Sequence, residues 1–234
     1  MIYLYAIADP DVALPEAPGF ENAPLRRLGE GPLVAVVSEL EERVEPSEAT
    51  LWEHESVVEA LIGTGTILPL RFGSTLADEG AVLALLRERE NELADGLARV
   101  RGAVELGVRA LWEPDDAPEL APAASGAAGE AAAPTETEAG AGTTYLMRRL
   151  GHSRRSEALS ERIHAPLERL ARASTRRMLA SPRALLTGAY LVDRGAVDDF
   201  RATAERLDEE IEEAAILCTG PWPPYSFAPA GAGA

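Results

Sequence analysis

The chain has 234 residues, 46% of them hydrophobic and 26% charged, with a formal net charge of −17 and one cysteine, Cys218. This composition is typical of a globular protein with one large domain or two small ones. The negative charge disfavours a phosphate backbone, so we expect no nucleic-acid partner. The single cysteine excludes an intramolecular disulfide.

In the first half, short apolar runs alternate with amphipathic segments. The runs predict strands at residues 2–7, 33–38 and 66–72, and the amphipathic segments predict helices at 47–62 and 78–100. Ser47 is a suitable N-cap for the first helix. Pro69 lacks a backbone donor, which places the third strand at a sheet edge or near its own end.

The second half begins with a run in which apolar residues alternate with others, and this predicts a half-buried strand at 104–112. Residues 113–142 are rich in Ala, Pro, Gly and Glu and contain no aromatic residue. Such a segment buries too little apolar surface to offset its ordering entropy, so we predict a disordered insertion. The elements predicted after it are strands at 144–150, 184–192 and 214–219, helices at 153–180 and 195–213, and a tail at 220–234.

The order of elements repeats between the two halves, which predicts an α+β protein of two domains. Each half runs strand, long loop, strand, helix, strand, helix, and the second half adds a last strand. This repeat favours an N-terminal domain at 1–102 and a C-terminal domain at 103–234 that contains the insertion as a loop. The competing boundary lies at the insertion itself, where the composition changes.

No apolar run approaches the ~20 residues that span a bilayer, so we expect no membrane partner. The N-terminal run has no basic region before it and meets Asp9 at once, which indicates a strand and not a signal peptide. We therefore expect a cytoplasmic protein.

The sequence shows no pattern of a catalytic, metal or cofactor site. His54, His152 and His164 lack the spacing of zinc ligands. Gly63-Thr64-Gly65 has neither the lysine nor the spacing of a phosphate loop. We expect a protein without a cofactor that is not an enzyme.

Two arginine patterns have a structural and a functional interpretation. Arginines recur every seven residues on the predicted helix 153–180, which predicts a stripe that is either solvated or bound to an acidic surface. Its members are Arg155, Arg162, Arg169 and Arg176. Arg71 lies in an apolar run, and a buried or interface arginine needs a carboxylate partner, for which Glu53, Glu55 and Glu59 are candidates.

Two motifs carry a resemblance to a known family. The C-terminal segment Thr219-Gly-Pro-Trp-Pro-Pro-Tyr-Ser-Phe227 closely resembles the C-terminal signature of the gas vesicle GvpF/GvpL proteins, and Ile67-Leu-Pro-Leu-Arg-Phe-Gly73 resembles a motif in their first half. The segment 51–59 stands in its usual place before the second motif. The resemblance gives these candidate interface residues: Leu68, Pro69, Leu70, Arg71, Phe72, Gly73, Gly220, Pro221, Trp222, Pro223, Pro224, Tyr225 and Phe227.

The resemblance implies an accessory role in gas vesicle assembly, with the hydrophobic shell protein GvpA and possibly other gas vesicle accessory proteins as partners. It also implies a C-terminal domain like a modified ferredoxin fold, with the tail packed on the body. The alternative is a ferredoxin-like regulatory module that binds a small molecule, which a pocket with converging polar groups would favour. An exposed apolar surface or sheet edge would favour protein binding.

The tail itself has two interpretations. Three prolines stiffen it, and Trp222, Tyr225 and Phe227 are aromatic anchors that lose little entropy on packing. They clamp the tail onto the protein's own body, or they dock a partner.

Overall fold

The computed structural model describes residues 1–112, 154–177 and 184–229. They form two compact units. The first contains residues 1–106, 191–197 and 220–229, and the second contains 107–112, 154–177, 184–190 and 198–219. The predicted insertion at 113–142 and the predicted strand at 144–150 lie outside the described residues.

The sheet of the first unit is built around its first strand. Strand β1 (Ile2–Ala8) is buried along all seven residues, which is why its sequence is a continuous apolar and aromatic run. It pairs antiparallel with β3 (Val34–Glu39) on one side and with β4 (Ile67–Pro69) and β5 (Thr75–Leu76) on the other. A short strand β2 (Arg26–Leu28) pairs with β3 and completes the order β2-β3-β1-β4.

Helix α1 (Glu48–Thr64) begins as predicted from its N-cap. The Ser47 hydroxyl accepts from the Thr50 backbone N–H, and the Thr50 hydroxyl accepts from the Ser47 N–H, forming a capping box. One face of the helix is buried, through His54, Val57, Val58 and Leu61. The helix therefore has a fixed N-terminus and a fixed orientation on its sheet.

The helix predicted at 78–100 is two helices. Helix α2 (Glu79–Glu88) and helix α3 (Glu90–Val100) are separated at Arg89, whose φ of −112° and ψ of 17° leave the helical range. The Arg89 guanidinium binds the Glu92 carboxylate at 2.8 Å and stabilises the start of α3. The apolar residues of this amphipathic segment are nevertheless buried across both helices, at Val82, Leu86, Leu93, Leu97 and Val100.

The second sheet has the order β7-β8-β6-β9. Along the chain, its described elements are β6 (Ala103–Trp112), helix α4 at 154–168, β7 (Ala173–Arg177), β8 (Ala184–Asp193), α5 (Val197–Glu210) and β9 (Ala214–Trp222). Strand β9 extends three residues beyond its predicted end, so Gly220, Pro221 and Trp222 belong to a strand and the tail proper begins at Pro223.

The prediction of one long helix at 153–180 is wrong for its second half. Helix α4 ends at residue 168, the N–H groups of Leu170 and Ala171 bond to the carbonyls of Leu167 and Glu168, and the chain continues as β7. Pairing with β8 overrides the local helical pattern. The predicted arginine stripe is therefore not continuous, because Arg176 lies on β7, where it binds Glu161 at 2.8 Å.

Three further differences concern short strands. The predicted strand at 66–72 is only three residues long, and β2 and β5 were not predicted at all. Strands of two or three residues are formed by pairing with a neighbour and leave no periodic pattern in the sequence.

Candidate interaction surface

The first family motif lies against His54, which is fully buried on α1. The Gly73 N–H donates to the Tyr3 hydroxyl at 3.0 Å. His54 Nε2 contacts the Leu70 carbonyl, which can only accept, so Nδ1 of the neutral ring is an acceptor and the Tyr3 hydroxyl donates to it at 2.9 Å. His54 Nε2 then carries the ring proton and donates to the Leu70 carbonyl at 3.0 Å. This chain of bonds ties β1, α1 and the segment after β4 together.

Burial keeps the His54 ring neutral. It lowers the pKa of His54 to about 4, and the hydrogen bond to the Leu70 carbonyl opposes only part of this effect. Burial also raises the pKa of the Tyr3 phenol. At neutral pH neither group carries a charge, so the network positions the motif and supplies no acid or base.

Aromatic rings surround this network. The Tyr3 ring contacts Tyr5 at 4.9 Å and Phe20 at 4.8 Å between centroids, and the His54 ring stacks on Tyr5 at 5.7 Å. Phe72 of the first motif meets His54 edge-on at 6.0 Å. Such contacts favour one rigid arrangement of the motif.

Residues 220–227 of the second motif lie in the same unit and also contact α1. The Tyr225 hydroxyl donates to Glu55 at 3.0 Å and lies 3.4 Å from His54 Nε2. Ser226 donates its backbone N–H and its hydroxyl to the two oxygens of Glu105, each at 2.8 Å. Burial raises the pKa of both Glu55 and Tyr225. Both motifs therefore contact the adjacent residues His54 and Glu55 of α1.

Two glycines allow the tail to follow this path. Gly220 has a φ of +106°, and a Cβ there would lie 2.8 Å from the Glu105 carbonyl oxygen. A Cβ at Gly96 of α3 would lie 3.2 Å from Pro229 and 3.1 Å from Leu68. Glycine at position 96 thus allows the tail and the first motif to pack closely on α3.

The candidate interface residues divide by exposure. Buried residues are Leu68, Pro69, Leu70, Pro223, Pro224 and Phe227; partly buried ones are Phe72, Gly73, Gly220 and Tyr225; exposed ones are Arg71, Pro221 and Trp222. The buried residues contribute to packing and are not accessible to a partner.

Arg71 does not take a buried position. Its side chain is exposed, and Glu55, one of its three candidate partners, accepts from Tyr225. His54, which the sequence pattern left without a role, is the residue that the prediction missed. Its place within the segment 51–59, beside a family motif, was the available signal.

Large apolar side chains are exposed at a few places in the first unit. On α1, Trp52 is 65% exposed and Leu51 is 45% exposed, and Trp222 at the end of β9 is 47% exposed. Leu217 of the second unit is 59% exposed. Exposed tryptophans are uncommon on monomeric proteins and mark interaction surfaces when they neighbour other apolar groups.

A cleft of about 400 Å³ lies in the first unit, between the end of α1 and the start of β6. Its lining includes Gly63, Gly65 and one charged side chain, Arg194, whose guanidinium donates to the Ile62 carbonyl at 2.8 Å. Within the described ranges, no group of three or more His, Cys, Asp or Glu residues could hold a metal ion. No helix of the described residues is long and apolar enough to cross a membrane.

Comparison with known proteins gives consistent matches over almost the whole chain. The family model described as gas vesicle synthesis protein GvpL/GvpF matches residues 1–229. Gas vesicle protein L of Streptomyces sp. (strain CB03234) is 34% identical, over 97% of this chain and 92% of the relative. Gas vesicle protein F of the same strain is 29% identical, over 96% of this chain and 98% of the relative.

Two solved structures share the fold. The crystal structure of GvpF from Anabaena sp. PCC7120 has a TM-score of 0.76 at 22% identity and covers 98% of this chain and 96% of its own. The crystal structure of GvpF from Microcystis aeruginosa has a TM-score of 0.76 at 21% identity and covers 97% of this chain and 98% of its own. The likeness supports the α+β architecture of helices and antiparallel sheet.

Proposed function

The chain belongs to the GvpL/GvpF family of gas vesicle synthesis proteins, as its motifs predicted, and we propose that it binds the hydrophobic shell subunit and assists vesicle assembly. It acts as a chaperone or stays as a minor structural component, in the cytoplasm and in association with gas vesicles. The family is not a known enzyme family. The observation that carries the proposal is the exposure of Leu51, Trp52 and Trp222 on a chain of net charge −17.

The proposal has a simple physical basis. A shell subunit that builds a continuous apolar wall must expose apolar surface and strand edges before assembly, and such surfaces aggregate. Exposed aromatic side chains can cover part of that surface. The strong negative charge then makes the complexes repel one another.

We propose that the second sheet, with helices α4 and α5, forms a ferredoxin-like fold within a C-terminal domain of residues 103–234. Its described elements follow one another as β-α-β-β-α-β, and their order β7-β8-β6-β9 is that of the split βαβ fold. The N-terminal domain is then residues 1–102. The bonds of Tyr225 and Ser226 support the tail as a clamp on the first unit.

The alternative, a module that binds a small molecule, has less support. It requires several polar groups that converge on an enclosed apolar pocket. The cleft beside α1 offers one charged group, and the Arg194 side chain is exposed and already bonded to a carbonyl.

Light scattering tests the proposal. Shell protein is diluted from denaturant with and without an equimolar amount of this chain, in the presence of a chelator and without nucleotide. We expect delayed scattering and a soluble complex. No delay together with no detectable complex would contradict shell binding, and a delay that requires ATP or a metal would point to a site of a different kind.

A further inference from the structure

We propose, on the basis of the shell-binding function above, that the exposed face of α1 is the docking surface and that it takes an apolar segment flanked by arginine or lysine. We call this surface the acidic–apolar face. Its exposed members are Glu48, Leu51, Trp52 and Glu59, and the partly buried Glu55 lies among them.

The helical period places these residues together. Their spacing of three, one, three and four residues brings them onto one stripe of the helix. A different face of the helix, with Val57, Val58 and Leu61, is buried. The sheet therefore already covers the face that α1 needs for folding, and the apolar side chains of Leu51 and Trp52 contribute little to the fold.

The charges on this face select the partner's chemistry. Residues 48–64 contain four glutamates and neither arginine nor lysine. Glu48 and Glu59 are exposed at the two ends of the stripe, with the apolar pair near the first of them. A purely apolar segment would leave these carboxylates unmatched, whereas a segment with basic residues beside its apolar side chains complements both features. A second copy of this chain would bring like charges together, so it fits less well.

The surface is also rigid before any partner binds. The capping box fixes the first turn of α1, and His54 fixes the helix through bonds to Tyr3 and Leu70. The Tyr225–Glu55 bond holds the tail beside the middle of the stripe. A rigid surface loses little entropy on association, which suits an anchoring tryptophan.

The test compares binding of the purified shell subunit to full-length variants, by the delay in light scattering and by tryptophan fluorescence. Trp52→Ser removes the aromatic anchor, and Leu51→Ser removes its neighbour. Leu217→Ser is the matched control, because Leu217 is as exposed but lies in the second unit. Thermal midpoints of all variants should stay near that of the parent, since the side chains are exposed.

The charges are tested in the same way. Glu48→Gln combined with Glu59→Gln removes the two exposed carboxylates of the face. Glu205→Gln combined with Glu209→Gln, on α5, removes two exposed carboxylates elsewhere and is the control.

We expect Trp52→Ser to weaken the complex by about 30-fold, as for an interface anchor, and Leu217→Ser to leave it unchanged. The Glu48/Glu59 double variant should weaken binding at low salt and reduce its salt dependence, because screening acts over about 10 Å at 0.1 M salt. Parent-like binding by Trp52→Ser overturns the docking surface but leaves shell binding intact. Absence of a complex with the parent chain overturns shell binding itself. Self-association that Trp52→Ser abolishes would assign the face to a second copy.

Discussion

The hydroxyl of Tyr225 is the most specific link between the tail and α1, and its removal has a defined cost. Tyr225→Phe keeps the ring and deletes the donor that lies 3.0 Å from Glu55. A hydrogen bond to a charged group is worth about 1.5–3 kcal/mol. Because both partners are only partly buried, we take the lower part of this range, about 1.5–2 kcal/mol.

The assay is thermal or urea unfolding of the full-length protein at pH 7.5. For a chain of this size, about 1 kcal/mol corresponds to about 2–4 °C in the thermal midpoint, so we expect Tyr225→Phe to lower the midpoint by about 3–8 °C. Ser226→Ala is the comparison variant, since the Ser226 backbone N–H still donates to Glu105. We expect Ser226→Ala to lower the thermal midpoint by less than Tyr225→Phe does.

A double-mutant cycle separates this bond from general effects. Tyr225→Phe is combined with Glu55→Ala, and the coupling energy should be about 1 kcal/mol or more. An unchanged midpoint for Tyr225→Phe together with zero coupling would refute the claim that the tail is held by this bond.

Three further predictions concern the tail, the insertion and pH. Truncation after Thr219 removes Phe227, which is buried, and the bonds of Tyr225 and Ser226. We expect a loss of at least 3 kcal/mol, and a truncated protein of parental stability in denaturant unfolding would contradict this. Replacing residues 113–142 by a short Gly/Ser linker should leave the thermal midpoint almost unchanged, because loop entropy changes by only ~0.6 kcal/mol per doubling of length; a large drop would show that the segment contributes to the fold. The pKa of His54 is lowered from 6.5 to about 4 by burial, so the unfolded state binds the extra proton. The contribution of neutral His54 to the free energy of unfolding is therefore complete above pH 6.5, and it is lost as the pH falls toward 4, by up to about 3 kcal/mol. Glu55, whose pKa is raised, changes the stability in the opposite direction as the pH falls. The pH dependence of the free energy of unfolding is therefore measured for the parent and for His54→Gln, and equal slopes would contradict the role of His54.

The sequence predicted those parts of the fold that depend on local pattern. Strand β1 was found because it is buried on both faces and so reads as one apolar run. The start of α1 was found because Ser47 has the chemistry of an N-cap. The alternation in β6 predicted its half-buried position.

The parts that were missed depend on long-range contacts. Strands β2 and β5 form by pairing with β3 and β1, and the helix predicted at 153–180 gives way to β7 because that segment pairs in a sheet. The role of His54 could not be predicted from the sequence, because its partners Tyr3 and Tyr225 are distant along the chain. The family motifs were found as sequences, but their convergence on one helix required the structure.

The central claim is that this chain binds the shell subunit of the gas vesicle. It is tested most directly by expressing the gas vesicle genes with a tagged copy of this chain, purifying it through the tag at low salt, and identifying the shell subunit in the eluate by mass spectrometry. We predict that the shell subunit co-purifies with the parent chain and with Leu217→Ser, and is strongly reduced with Trp52→Ser. A parent eluate without shell subunit, from cells that make the shell protein in quantity, would contradict the account.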